Sequence, residues 1–325
     1  MTDGLGLKLV GLKKTYPKAF RRPAVEAIKN LDLDVRDGEV VGLLGPNGAG
    51  KTTAIKAICG LLNPTAGEIF IGPYSLARER RRALARMAVV LEGDRNLRFR
   101  LTVKENVTFF TTIAGCDRRR VKEETPAALE RFHLAGKADE QVRNLSKGQK
   151  QILSVAIAFL TRAELVLLDE PTLGLDVQTS QELQTIIREM AREGRAVLLT
   201  THEMAVAQKV ADRVAIVTEG RLVTFKPTEE LLELFRYHQY TIHLRWPETA
   251  PGTVDFGDGD VEIIPAGDHK RDLTLRLHTD KKDRLYEILA KLRSEECDIL
   301  EVARHQPDLE RVFLSIVEGE GKQSR

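Results

Sequence analysis

A nine-residue run, Gly45-Pro46-Asn47-Gly48-Ala49-Gly50-Lys51-Thr52-Thr53, leaves this chain few folds to choose from. It fits the pattern G-x-x-x-x-G-K-[ST], the phosphate-binding loop. Glycines let the backbone bend so that successive N–H groups turn inward on an anion. Lys51 brings a mobile positive charge to terminal phosphates, and the Thr52 hydroxyl suits Mg²⁺. The flanks agree with this. Glu39 to Leu44 reads as a short buried strand and Lys51 to Gly60 as a helix. Strand, glycine loop and helix N-terminus together make an anion site.

The chain has 325 residues, enough for two domains. Its 42% hydrophobic and 30% charged content fits a globular protein, and its net charge of +2 carries no footprint of nucleic acid or an anionic membrane. No apolar run approaches the roughly 18 residues of a membrane helix. Met1-Thr2-Asp3-Gly4 lacks the charged and then apolar pattern of a leader. Cys59, Cys116 and Cys297 are scattered and odd in number, which suits a reducing cytosol.

Residues 7 to 10 and 31 to 35 read as strands, with Tyr16 in a turn between them. Glu68 to Ile71 and Met87 to Leu91 are further strands, and Arg78 to Arg86 a basic helix with a solvated face. Thr102 to Leu134 is helical with breaks at Gly115 and Pro126, as in an inserted helical subdomain. Helix, strand and helix follow from Ser146 to Arg192. Then come a strand to Thr200, a helix from Glu203, a strand over Val214 to Val217, and a hairpin at Glu219-Gly220-Arg221. This alternation predicts a layered α/β domain. Composition shifts near Lys226-Pro227. A short helix to Tyr237, strands at Tyr240 to Leu244, Leu273 to Leu277 and Ile299 to Val302, and helices at Asp283 to Leu292 and Leu309 to Val317 predict a small α+β domain. Asp258-Gly259-Asp260 reads as a hairpin turn.

A phosphate loop says nucleotide without saying what is done with it. Leu165-Val166-Leu167-Leu168-Asp169-Glu170 is an apolar strand ending in two acids. An Asp there can hold Mg²⁺, and the following Glu can polarise a water against a phosphate. Asn144-Leu145-Ser146-Lys147-Gly148-Gln149 opens a helix, so that Ser146 and the Gly148 N–H form a second anion site. Thr172-Leu173-Gly174-Leu175-Asp176 follows the acids, and His202 sits just past a strand.

With these motifs in this order, residues 5 to 225 resemble the nucleotide-binding subunit of an ATP-binding cassette (ABC) transporter. The resemblance implies a P-loop ATPase domain with a helical signature subdomain. Two copies would pair head to tail, the signature Ser146, Gly148 and Gln149 of one closing on ATP held by residues 45–53 of the other. Tyr16 would stack on adenine, Asp169 and Thr52 would serve Mg²⁺, Glu170 would be the general base, His202 would contact the γ-phosphate, and Asp176 would organise the dimer interface. Lys147 stands where the family more often has Gly, and its side chain is expected to point to solvent. Glu92 stands where the family usually has a metal-touching Gln; a carboxylate is a charged, harder ligand for the same ion. Arg95, Arg98, Arg100 and Lys104 lie where the family meets its membrane subunit. Residues 307–314 resemble the tail of ATPase subunits from the drug- and lipid-exporter branch, which implies export.

The sequence therefore predicts an ABC ATP-binding domain over residues 1–225 and an accessory α+β domain over 226–325. The expected activity is ATP hydrolysis driving a separate membrane permease from the cytoplasmic face, with ATP and Mg²⁺ and no nucleic acid. A cassette ATPase acting on ribosomes or DNA is the rival. Such relatives carry two cassettes or a long coiled coil, whereas this chain has one phosphate loop and no sustained heptads between Lys51 and Asp169. A non-catalytic nucleotide-binding regulator is disfavoured by the presence of Glu170 and His202.

Overall fold

The computed structural model describes residues 4–17, 24–91, 93, 97–234, 238–247, 256, 260–265, 272–279, 281, 283–305, 309–310 and 312–314. They fall into two compact units, Met1–Thr228 and Glu229–Ser315.

The first unit holds strands β1 (Leu5–Tyr16), β2 (Val25–Arg36), β3 (Val40–Leu44), β4 (Ala66–Ile71), β5 (Tyr74–Ser75), β6 (Met87–Val90), β7 (Leu165–Asp169), β8 (Ala196–Thr201), β9 (Arg213–Thr218) and β10 (Arg221–Pro227). Its helices are α1 (Lys51–Ile58), α2 (Arg80–Leu84), α3 (Val103–Ile113), α4 (Arg118–Arg131), α5 (Lys147–Leu160), α6 (Val177–Arg192) and α7 (Met204–Val210). The sheet order is β5-β4-β1-β2-β10-β9-β3-β8-β7-β6. Strands β9, β3, β8, β7 and β6 run parallel. Every residue of β3, β7 and β8 is buried, as parallel strands covered on both faces require. Successive residues of β7 feed opposite cores. Val166 and Leu168 join one with Leu153, Ile187 and Val210, while Leu165 and Leu167 join another with Ile55 and Ile58. The layered α/β expectation holds.

Several elements depart from the pattern reading. Tyr16 is the last residue of β1, paired with Val25, and not part of a turn. The basic helix shrinks to Arg80–Leu84, and its neighbours Arg78 and Arg86 reach Glu68 and Glu164. Pro126 breaks nothing: it lies inside α4, because Val121, Ala128 and Leu129 on either side of it are all buried. Packing of one apolar face outweighs a local propensity of about 3 kcal/mol. Two short strands, β5 and Val261–Pro265 of the second unit, carry too little alternation to be seen.

The second unit contains the rest of α8 (Thr228–Leu234), then β11 (His238–Arg245), β12 (Val261–Pro265), β13 (Asp272–Thr279), α9 (Arg284–Ser294) and β14 (Asp298–His305). Its sheet is antiparallel in the order β12-β13-β11-β14. Alternate residues Ile242, Leu244, Leu273, Leu275 and Leu277 bury one face against Ile288 and Leu292 of α9. Arg284 ties the helix start to Asp260 at 2.7 Å. The expected turn at 258–260 lies outside the described residues apart from Asp260. Of the expected last helix, residues 309–310 and 312–314 are described and helical.

Candidate nucleotide site

The loop between β3 and α1 is built by exclusion of side chains. Gly50, the residue before α1, has φ +108°, and a Cβ there would lie 2.4 Å from the Ala27 carbonyl oxygen. A Cβ on Gly45 would lie 2.3 Å from the Val217 carbonyl oxygen. Only glycine fits either place. Pro46, Asn47 and Gly48 are exposed and Ala49 is buried, so the loop stands out from the sheet on a fixed base. Lys51 is 7% exposed, and its Nζ donates to Gly45 O at 2.6 Å and Pro46 O at 3.3 Å. The ammonium thus folds back over the loop it belongs to, at the mouth of a helix whose first N–H groups are unpaired within the helix. Thr52 is exposed and Thr53 half-buried. Burial lowers the Lys51 pKa below 10.5, and the carboxylates of Glu170 and then Asp169 act against that shift. The loop and the two acids therefore share one electrostatic neighbourhood.

The two acids sit together at the end of β7, Asp169 as its last residue and Glu170 as the next. Asp169 is 4% exposed, and its Oδ1 accepts from Thr200 Oγ1 at 2.6 Å. Glu170 has φ +48°, a left-handed conformation that costs a non-glycine residue about 1 kcal/mol or more. That turn separates the two carboxylates. Asp169 stays against the strand, while Glu170 Oε2 meets His202 Nδ1 at 2.9 Å. A carboxylate only accepts, so Nδ1 carries the hydrogen and Nε2 is left for another partner. Among the described residues no three His, Cys, Asp or Glu side chains cluster as a metal cage. Glu92 lies outside the described residues. Asp169 also acts on Cys59, the residue just after α1, whose thiol is pushed up to about 12, chiefly by burial.

The signature segment opens α5 with a capping box. Ser146 Oγ accepts from Gln149 N at 3.2 Å, and Gln149 Oε1 accepts from Ser146 N at 3.0 Å. Ser146 remains exposed. Within the chain this segment faces the loop after β7. A Cβ on Gly148 would stand 3.1 Å from Thr179 Cγ2. Lys147 is exposed, as expected, and its Nζ also reaches over that loop, 2.5 Å from where a Gly174 Cβ would be. Gly174 at φ +69° leaves the space the ammonium uses. Asp176 caps α6, accepting from Thr179 N at 2.9 Å and Thr179 Oγ1 at 2.7 Å, and these bonds hold its carboxyl below the usual range. Tyr16 is 38% exposed at the end of β1, with Lys14 Nζ 5.4 Å from its ring centre.

Of the cationic stretch before α3, Arg98 stacks on Phe109 at 5.3 Å and Lys104 pairs with Asp139, while Arg100 is exposed and Arg95 lies outside the described residues. The buried Asn106 pins this stretch through Arg98 N at 2.8 Å and Arg98 O at 3.0 Å. Pattern reading missed Asn106 and Thr200. Their only trace in the sequence is a polar residue inside an apolar period.

Comparison with known proteins places these groups in context. Residues 28–173 match the family model described as ABC transporter. The Nod factor export ATP-binding protein I of Cupriavidus metallidurans is 35% identical over 63% of this chain and 68% of its own length. ABC transporter A family member 7 of Dictyostelium discoideum is 34% identical over 97% of this chain, which spans only 37% of that relative. Among solved structures, the dimeric post-hydrolysis state of the ATP-binding cassette MJ0796 bound to ADP and Pi superposes with a TM-score of 0.61. It is 26% identical and covers 68% of this chain and 98% of its own.

Proposed function

The chain belongs to the ATP-binding proteins of the ABC transporter family and is an ATPase; from that premise we propose that it dimerises on ATP and drives a separate membrane permease in export. The observation that carries the hydrolytic part is the Glu170–His202 contact at 2.9 Å beside the Lys51 loop. Residues 45–53 hold the phosphates, with Lys51 exchanging its two backbone carbonyls for phosphate oxygens. Glu170 accepts a proton from water as the water oxygen bonds to the γ-phosphorus. The bond from that phosphorus to the bridging oxygen breaks, and its electrons stay on ADP. His202 orients Glu170 through Nδ1 and presents Nε2 to the γ-phosphate. Thr52 and Asp169 would hold Mg²⁺, which offsets phosphate charge when bound.

Ser146 and the N-terminus of α5 are exposed, as a surface closing on a second copy's nucleotide requires. Pairing is supported by the dimeric cassette of similar fold. Export is supported by the name of the Nod factor relative. We assign the translocating path to a partner at whose cytoplasmic face the chain sits; among the described residues no helix is long and apolar enough to cross a membrane. Glu170→Gln tests the reading. Hydrolysis falls by roughly 10²–10⁴-fold, while ATP binding persists and light scattering shows a dimer only with ATP. Near-native turnover, or a monomer with ATP bound, overturns it.

A further inference from the structure

We propose that Thr200 is a positioning residue for hydrolysis, one hydroxyl that sets both the Asp169 carboxylate and the turn of Glu170. The proposal rests on the roles given to those two acids above. β7 and β8 are parallel neighbours with Asp169 in register with Thr200. Thr200 is fully buried and Asp169 nearly so. Thr200 Oγ1 lies 2.6 Å from Asp169 Oδ1 and 3.2 Å from Glu170 N. A hydroxyl has one hydrogen to give, and an amide N–H can only donate. The hydrogen therefore goes to Asp169, and a lone pair receives Glu170 N–H. The same amide is also directed at Thr200 O, 3.0 Å away.

Two consequences follow for the site. With Oδ1 of Asp169 engaged, Oδ2 is the oxygen left to serve a cation. With its amide held by both oxygens of Thr200, Glu170 is fixed at φ +48° and its side chain is sent to His202. Strand formation does not explain the hydroxyl. Valine has the same shape and at least equal β-propensity, and a buried hydroxyl is costly unless bonded. The neighbouring Thr201 shows the contrast, since its Oγ1 accepts from Glu203 N at 2.9 Å and organises only the following turn.

The experiment compares Thr200→Val, Thr200→Ser and Asp169→Asn in the full chain. The readouts are Tm, binding of a fluorescent ATP analogue with EDTA and with Mg²⁺, and steady-state hydrolysis. In Thr200→Val, metal-free affinity stays native and Tm falls only by the amount one unpaired buried acceptor costs, whereas the gain in affinity on adding Mg²⁺ and the turnover fall by roughly 10–100-fold, the usual loss when the partner of a metal-holding carboxylate is removed. Thr200→Ser restores both. If Thr200→Val keeps native Mg²⁺ dependence and turnover while Asp169→Asn loses them, the proposal fails and the assignment of Asp169 stands. If Asp169→Asn keeps them, that assignment fails and the proposal with it. If Thr200→Val lowers Tm and both affinities alike, the hydroxyl is merely structural and the proposal is overturned.

Discussion

His202 Nδ1 and Glu170 Oε2 lie 2.9 Å apart although 32 residues separate them in the chain. Glu170 is nearly buried, with 11% of its side chain exposed, whereas His202 has 46% exposed. The inner member can serve a water, and the outer one can reach a phosphate. His202→Ala removes the partner without opening a core cavity. Hydrolysis is expected to fall by roughly 10²-fold, with ATP affinity changed much less. Parallel loss of binding and turnover in a titration and a rate assay would assign His202 to binding alone.

Lys51 has its charge trapped close to the backbone. Lys51→Met keeps the stem and removes the ammonium, so ATP binding is expected to weaken roughly 10–100-fold, the worth of a charge-assisted bond to phosphate. Its pKa adds a pH signature. Burial lowers that pKa from 10.5 in the folded state, so the unfolded chain holds more protons between the lowered value and 10.5. The group's contribution to stability therefore rises with pH across that window. ATP affinity shows the opposite trend, falling as pH climbs through the lowered value, and Lys51→Met lacks this flank. Thermal melts across pH check the first statement, and titration of a fluorescent ATP analogue across pH checks the second.

Gly50 and Gly48 separate steric from backbone cost. Both have positive φ, +108° and +84°. A Cβ at Gly48 meets nothing within 4 Å, whereas one at Gly50 meets the Ala27 carbonyl at 2.4 Å. Gly48→Ala is expected to cost about 1 kcal/mol, read as a Tm drop of about 2–4 °C. Gly50→Ala is expected to cost more than twice that and to abolish ATP binding, because the helix start must shift. Equal Tm values for the two variants would remove the steric account.

Asp176 gives an acid-side signature. Bonds from Thr179 N and Oγ1 depress its pKa from 3.8. A carboxyl depressed on folding contributes stability above its unfolded value and loses it as pH falls through the folded one. Asp176→Asn has no such group. The Tm difference between wild type and variant is expected to be present near neutral pH and to close as pH falls below 3.8. A constant difference would mean that the charge of Asp176 does not support α6.

The proposed two-domain organisation has a sharper boundary than composition suggests. Phe225-Lys226 lies inside β10, where Lys226 and Pro227 still pair with Val214 and Arg213. Thr228 then bonds to Asp212 O at 2.9 Å and through its hydroxyl to Ala211 O at 2.7 Å. A chain ending after Thr228 is expected to fold and bind ATP. One ending after Phe225 loses these bonds, and its Tm falls by an amount corresponding to about 1–3 kcal/mol. An insoluble product from the longer truncation would show that the units do not fold separately.

The sequence by itself determined whatever is written in contiguous residues. The glycine loop, the fully apolar strands β3, β7 and β8, and the switch to a second unit near Pro227 are local signals with their own period or spacing. The resemblance that names roles for Glu170 and His202 also needs only motif order. Tertiary structure decided what depends on segments far apart lying side by side. The register of β7 on β8 puts Thr200 against Asp169, and the approach of α5 to the loop after β7 brings Lys147 over Gly174. The left-handed turn at Glu170 and the helix running through Pro126 are likewise unfavourable locally, and no local pattern announces them. The physical reason is the same in each case: a residue's own propensity is worth about 1–3 kcal/mol, and buried contacts from the rest of the chain exceed it.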